Sequence, residues 1–158
     1  MKIAFLMLIL CFVSCINGDS NSSSGDNSDD GVSTIPRVSG DCRINTICAT
    51  GGSADSATAR VAFIKDTCAD FSSSSTISAI GETTSVNCDS DNCTFTVNSW
   101  TANSNNITTL EDGTYNVVLY IDTDANGNPN SGDPYRCADG HSIGSSSTSI
   151  DETINSIL

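Results

Sequence analysis

Between Tyr115 and Asp133 the chain runs directly from a β-branched and aromatic segment, Tyr115-Asn-Val-Val-Leu-Tyr-Ile121, into a twelve-residue acidic loop, Asp122-Thr-Asp-Ala-Asn-Gly-Asn-Pro-Asn-Ser-Gly-Asp133. The first part has the composition of a strand. The second places oxygen-bearing side chains at positions 1, 3, 5, 9 and 12 of the loop, a pattern suited to calcium, which takes six to eight oxygen ligands. Asp122, Asp124, Asn126 and Asp133 would supply side-chain oxygens, Asn128 a backbone carbonyl, and Asn130 a contact through water. Gly127 stands where the loop has to turn, which a residue without Cβ does at least steric cost. The competing reading is a solvated hairpin turn, because Asn, Asp and Gly are also the ordinary turn residues.

The spacing follows an EF-hand loop, except that Asp133 stands where a bidentate Glu is usual. The flanks do not follow it. A strand-like segment enters the loop, Pro134 leaves it, and Pro129 removes a backbone donor within it, so the loop is expected to join two strands rather than two helices. In that setting Asp122, Asp124, Asn126, Gly127, Gly132 and Asp133 resemble the calcium loops in the B-type repeats of staphylococcal serine-aspartate surface proteins. The resemblance covers only Gly113 to Asp133. It implies an all-β fold, an Ig-like or prealbumin-like β-sandwich, with bound calcium.

At the N-terminus, Lys2 followed by the apolar run Ile3 to Val13 has the form of a secretory signal, here assigned to residues 1–14. The run is shorter than the roughly 20 residues a membrane-spanning helix needs. Phe12-Val-Ser-Cys15 resembles the lipobox of bacterial lipoproteins, with Phe12 in place of the usual Leu. That resemblance implies a lipid on Cys15, while plain secretion with Cys15 incidental is the alternative. Residues 15–40, dominated by Gly, Asp, Ser and Asn, bury too little apolar surface to offset chain entropy and are expected to form a disordered tether.

Residues 41–158 are then long enough for one domain with one core. Six cysteines fall in it: Cys42, Cys48, Cys68, Cys88, Cys93 and Cys137. An even number in an exported chain implies three disulfides, with fifteen possible connectivities. Cys88 with Cys93 and Cys42 with Cys48 are local candidates. Neither has CxxC spacing, and a single histidine is too few for the usual mixed zinc sites.

Three further segments read as strands: Arg60 to Lys65, Thr76 to Ile80 ending at Gly81, and the alternating Cys93 to Ser99. Ile107 to Leu110 is expected to partner the strand at Tyr115, across a turn at Glu111 to Gly113. In Tyr115 to Ile121 the residues Tyr115, Val117, Leu119 and Ile121 share the core face, opposite to Asp122. The last segment has helical spacing at Ile150, Ile154 and Ile157 but strand-like composition, and is taken as a strand.

The chain carries a net charge of −13, one unit more negative once Lys2 is removed with the signal. Such a surface repels nucleic acid and anionic lipid, so the only membrane contact expected is through the lipid anchor. His141 and Asp139 lie among serines, but no nucleophile motif accompanies them and no catalytic role is assigned. Trp100 reads as a core or rim residue rather than a ligand platform. The expected function is cell-surface binding of a surface or matrix ligand, anchored at a bacterial outer membrane or cell surface. A structural envelope spacer, or a plainly secreted disulfide-rich protein, is the alternative.

Overall fold

The computed structural model describes residues 31–44, 47–48, 57–71, 75–89 and 92–158. The expected signal, Cys15 and the tether as far as residue 30 lie outside the described residues. The strands are β1 (Val32–Thr34), β2 (Arg37–Cys42), β3 (Thr58–Ile64), β4 (Ile77–Thr83), β5 (Asn87–Cys88), β6 (Cys93–Val97), β7 (Trp100–Ala102), β8 (Asn105–Ile107), β9 (Thr109–Glu111), β10 (Gly113–Asp122), β11 (Pro134–Ile143), β12 (Ser149–Ile154) and β13 (Ser156–Ile157). Among the described residues no helix is long and apolar enough to cross a membrane.

Two larger sheets carry the architecture. One has the order β13-β11-β10-β3-β4-β7-β8 and the other β12-β2-β6-β5, while β1 and β9 form a separate pair. Their inner faces share one core, with Val38, Phe95, Val97, Ile150 and Ile154 from the smaller sheet and Val61, Phe63, Val117, Leu119 and Ile121 from the larger. The result is a sandwich-like all-β domain. β6 shows the expected alternation, with Cys93, Phe95 and Val97 buried and Thr94 and Thr96 exposed. The C-terminal segment is strand, as expected: β12 runs parallel to β2, and β13 pairs with the start of β11.

β10 departs from simple alternation. Tyr115, Val117, Leu119 and Ile121 face the shared core, but Val118 and Tyr120 on its other face are buried too, in a second cluster with Ala62 and Ile64. Phe71, Tyr135 and Cys137 pack against that cluster. The short 3-10 turn Cys68–Asp70 follows β3 and is tied to β11 by the Cys68–Cys137 disulfide. Cys42–Cys48 and Cys88–Cys93 are the other two disulfides.

Several sequence expectations change. Residues 31–40, assigned to the tether on composition, contribute β1 and most of β2. Their few apolar residues are so placed that Ile35 and Val38 enter the core. Gly40 makes room there for Phe95, since a Cβ on Gly40 would lie 2.1 Å from the Phe95 ring. β4 does not end at Gly81 but runs through it to Thr83, because Val97 and Trp100 pack over the missing side chain. Residues 107–110 do not partner β10. They divide between β8, which pairs with β7, and β9, which pairs with β1, while β10 lies between β3 and β11.

His141 is set in the large sheet. It lies half-buried on β11, with Nε2 3.1 Å from Glu152 Oε1, and Arg136 Nε lies 3.5 Å from the other oxygen of the same carboxylate. Asp139 is exposed. Trp100 is 5% exposed and meets Phe63 edge to face at 5.1 Å.

The disulfides differ in what they constrain. Loop closure entropy grows with the logarithm of loop length, so the 69-residue separation of Cys68–Cys137 corresponds to about 4 kcal/mol. The 5-residue separation of Cys88–Cys93 corresponds to about 2 kcal/mol. A Cys68→Ala, Cys137→Ala chain should therefore lose roughly twice the stability lost by Cys88→Ala, Cys93→Ala, as read from urea unfolding midpoints at matched m-values.

Candidate metal centre

β10 and β11 pair antiparallel, and the acidic loop connects them. Because side chains alternate along β10, Asp122 falls on the face of Val118 and Tyr120, and its carboxylate is carried inside at the end of the strand. Asp122 is 2% exposed and Asp133 0%. Together with the exposed Asp124 they bring carboxylate oxygens within 4.8 Å of one another.

Backbone and side-chain donors hold each carboxylate in place. Asp122 Oδ1 accepts from the Asn126 amide at 3.1 Å and Oδ2 from the Gly127 amide at 2.8 Å. Gly127 adopts φ +83° and Ala125 φ 59°, so the chain between them folds back toward Asp122. Asp133 Oδ1 accepts from both the amide and the hydroxyl of Thr123, at 3.0 and 2.8 Å, and Oδ2 from the Asn130 amide at 3.1 Å. Asp124 Oδ2 accepts from the side-chain amides of Asn126 at 2.8 Å and Asn130 at 3.1 Å. Burial alone would raise the Asp124 carboxyl. The hydrogen bonds donated by the Asn130 side chain and by the backbone and side chain of Asn126 outweigh it and hold the group below the usual carboxylate range.

The structure therefore joins Asp122, Asp124, Asn126, Asn130 and Asp133 in one network. Asn128 stands one step away: its described bonds run to Asn126, whose Oδ1 accepts from the Asn128 amide at 2.8 Å. Four supporting residues carry no signal in the loop pattern. Thr123 donates twice to Asp133. Arg60, across the β3–β10 register from Tyr120, places Nε 3.4 Å from Asp122 Oδ2 while Nη1 meets Glu82 at 2.6 Å. Tyr120 donates its hydroxyl to the Gly127 carbonyl at 3.1 Å. Leu158 closes the far side, accepting from the Gly132 amide at 3.2 Å and donating to the Asp133 carbonyl at 3.1 Å.

The donor set is entirely oxygen, which suits a hard cation and not zinc or copper. Two unit charges no more than 4.8 Å apart repel by roughly 3 kcal/mol or more at an effective dielectric near 20. Three clustered carboxylates face one guanidinium, itself shared with Glu82. Charge balance and donor chemistry both allow a divalent cation among Asp122, Asp124 and Asp133.

No protein-family model matches the chain, and neither the characterised proteins nor the solved structures compared with it include a match. Fold and loop together define a class: a disulfide-stapled, sandwich-like all-β domain with an oxygen-lined cluster at the β10–β11 connection.

Burial pushes the Tyr120 phenol up to about 12. A phenol whose folded value lies above its unfolded one contributes stability that is present below about pH 10 and is lost as pH rises toward 12. Tyr115 and Tyr135 are also raised by burial, so the comparison has to be with a single variant. Tyr120→Phe should lower stability near neutral pH by about 1 kcal/mol through the lost bond to Gly127. It should also flatten the decline between pH 10 and 12 in urea titrations across that range.

Proposed function

We propose that this chain is an exported cell-surface protein, anchored through a lipid on Cys15, whose Ig-like or prealbumin-like sandwich carries one structural calcium in the loop 122–133. Its role is to bind a surface or matrix ligand, with the ion stiffening a loop at one end of the sandwich rather than performing chemistry. The observation that carries the ion is the convergence of Asp122, Asp124 and Asp133, two of them buried, on one another. Asp122, Asp124, Asn126 and Asp133 would hold the ion by side-chain oxygens, Asn128 by its carbonyl and Asn130 through water. Bound there, calcium would add to the positive charge that Arg60 brings to Asp122. Three disulfides agree with an oxidising compartment outside the cytoplasm.

A second reading, an envelope spacer without a specific ligand, has its own support. Every aromatic side chain among the described residues is buried or half-buried. The outward face of the smaller sheet presents Ser39, Asp41, Thr94, Thr96, Asp151 and Thr153, with no exposed aromatic anchor. Such a face is durable and well solvated but offers little to recognise. If Cys15 is not lipidated, the same domain is plainly secreted.

Extracellular calcium modules bind at about 10⁻⁴ to 10⁻³ M, so about 10 mM calcium should stabilise the domain by roughly 1.5 to 2.5 kcal/mol. The Tm should rise by roughly 5 °C or more over the value in excess chelator, and Asp122→Ala, Asp124→Ala should abolish the rise. A Tm indifferent to calcium would leave the loop as a hydrogen-bonded turn and remove the ion from the proposal. Saturable, calcium-dependent retention of the labelled domain on cells would favour the binding role. Retention that never saturates would favour the spacer.

A further inference from the structure

Four of the six domain cysteines lie together. Cys93 on β6 is the register partner of Cys88 on β5 and also of Cys42 on β2, so three cysteines form a row across adjacent strands. Paired residues point to the same side of a sheet, and here that side is the core. Cys42, Cys48 and Cys93 are 0% exposed, whereas Cys88 is half-buried at the edge of the sheet. Cys93 Sγ lies 2.6 Å from the backbone oxygen of Cys48, so the Cys88–Cys93 bridge packs against the backbone that carries the other disulfide. Directly opposed residues on antiparallel strands lie about 4.5 to 5.5 Å apart at Cα, inside the range that a disulfide spans. Cys93 therefore has two neighbours that it can bridge, and the oxidised protein uses one of them.

We propose that Cys42, Cys48, Cys88 and Cys93 form a single thiol–disulfide exchange unit, in which reduction entering at Cys88 is passed inward and leaves a Cys42–Cys93 bridge with thiols at Cys48 and Cys88. The steps balance with one equivalent of a small dithiol. A thiolate of the dithiol attacks Cys88 Sγ, the Cys88–Cys93 bond breaks, and Cys93 leaves as a thiolate inside the core. Cys93 attacks its register partner Cys42. The Cys42–Cys93 bond forms, the Cys42–Cys48 bond breaks, and Cys48 departs with the electron pair and takes a proton. The second thiol of the reagent attacks the mixed disulfide, forming the cyclic disulfide of the reagent and releasing Cys88 as a thiol. Two electrons and two protons enter, and one protein disulfide is lost. The surviving bridge joins β2 to β6 directly, while the segment after Cys42 and the β5 edge are both released. This is a redox-sensitive device built from strand register, with no CxxC motif.

The test treats the oxidised full chain with a limiting amount of dithiothreitol, quenches it in acid and alkylates the new thiols. The remaining disulfides are then reduced and alkylated with an isotopically distinct reagent, and the cysteine peptides are read by mass spectrometry. The first label is expected on Cys48 and Cys88. First label on Cys88 with Cys93, on Cys42 with Cys48, or on Cys68 with Cys137 would overturn the proposal. A second measurement uses Cys88→Ser, which needs no reductant. Folded and oxidised, it should carry its free thiol on Cys48, with Cys42 bridged to Cys93. A free thiol on Cys93 alone would mean that the internal exchange does not occur.

Discussion

The antiparallel pairing of β10 with β3 on one side and β11 on the other places a ten-residue strand in the interior of the large sheet, closed to water on both faces from Val117 to Asp122. One face meets the smaller sheet, and the other is closed by Val118 and Tyr120 packing with Ala62, Ile64 and the segment at Phe71. Fully burying each large aliphatic or aromatic side chain is worth about 1.5 to 3 kcal/mol. The strand contributes six buried residues in a row, Val117 to Asp122, with Tyr115 buried before them, so the position of its C-terminal end is held by the core itself. Asp122 is fixed by that anchoring before any loop contact is considered.

The loop is then organised from its two ends. Asp122 ends β10 and Asp133 immediately precedes β11; the first accepts from the Asn126 and Gly127 amides and the second from those of Thr123 and Asn130. Proline at 134 begins β11, where its missing donor is tolerated at a strand's first residue. At the other end of the β10–β11 pair, a register shift near Asn116 is accommodated by Gly140 at φ +81°, whose amide donates to Asn116 Oδ1 at 2.9 Å. Loop and bulge thus bracket a ladder whose register they both support. Cys68–Cys137 pins the same strand to the segment after β3.

Much of this was legible because local chemistry pointed one way. The alternation in Cys93 to Val97, the core face of Tyr115 to Ile121 and the strand-to-strand setting of the loop follow from residue order, and both local disulfides were among the candidates it offered. Residues 31–40 misled because composition averages over a window, whereas Ile35 and Val38 needed only correct spacing to find the core. Pro134 to Ile143 is the strand expected after the loop, and its Gly140 serves a bulge that the residue order did not announce. His141 meets Glu152 on a strand that no local pattern connects to it.

By itself, the order of residues determined the all-β class, the six cysteines available for pairing, and a loop whose oxygen donors recur at cation-binding intervals, since each depends on side-chain chemistry and short-range spacing. Only the tertiary structure decided which carboxylates are buried, that Arg60, Thr123, Tyr120 and Leu158 support them, and that Cys93 stands between two partners. Those relations depend on strand order and register across the sheets, which bring together residues far apart in the chain through packing that no local segment encodes.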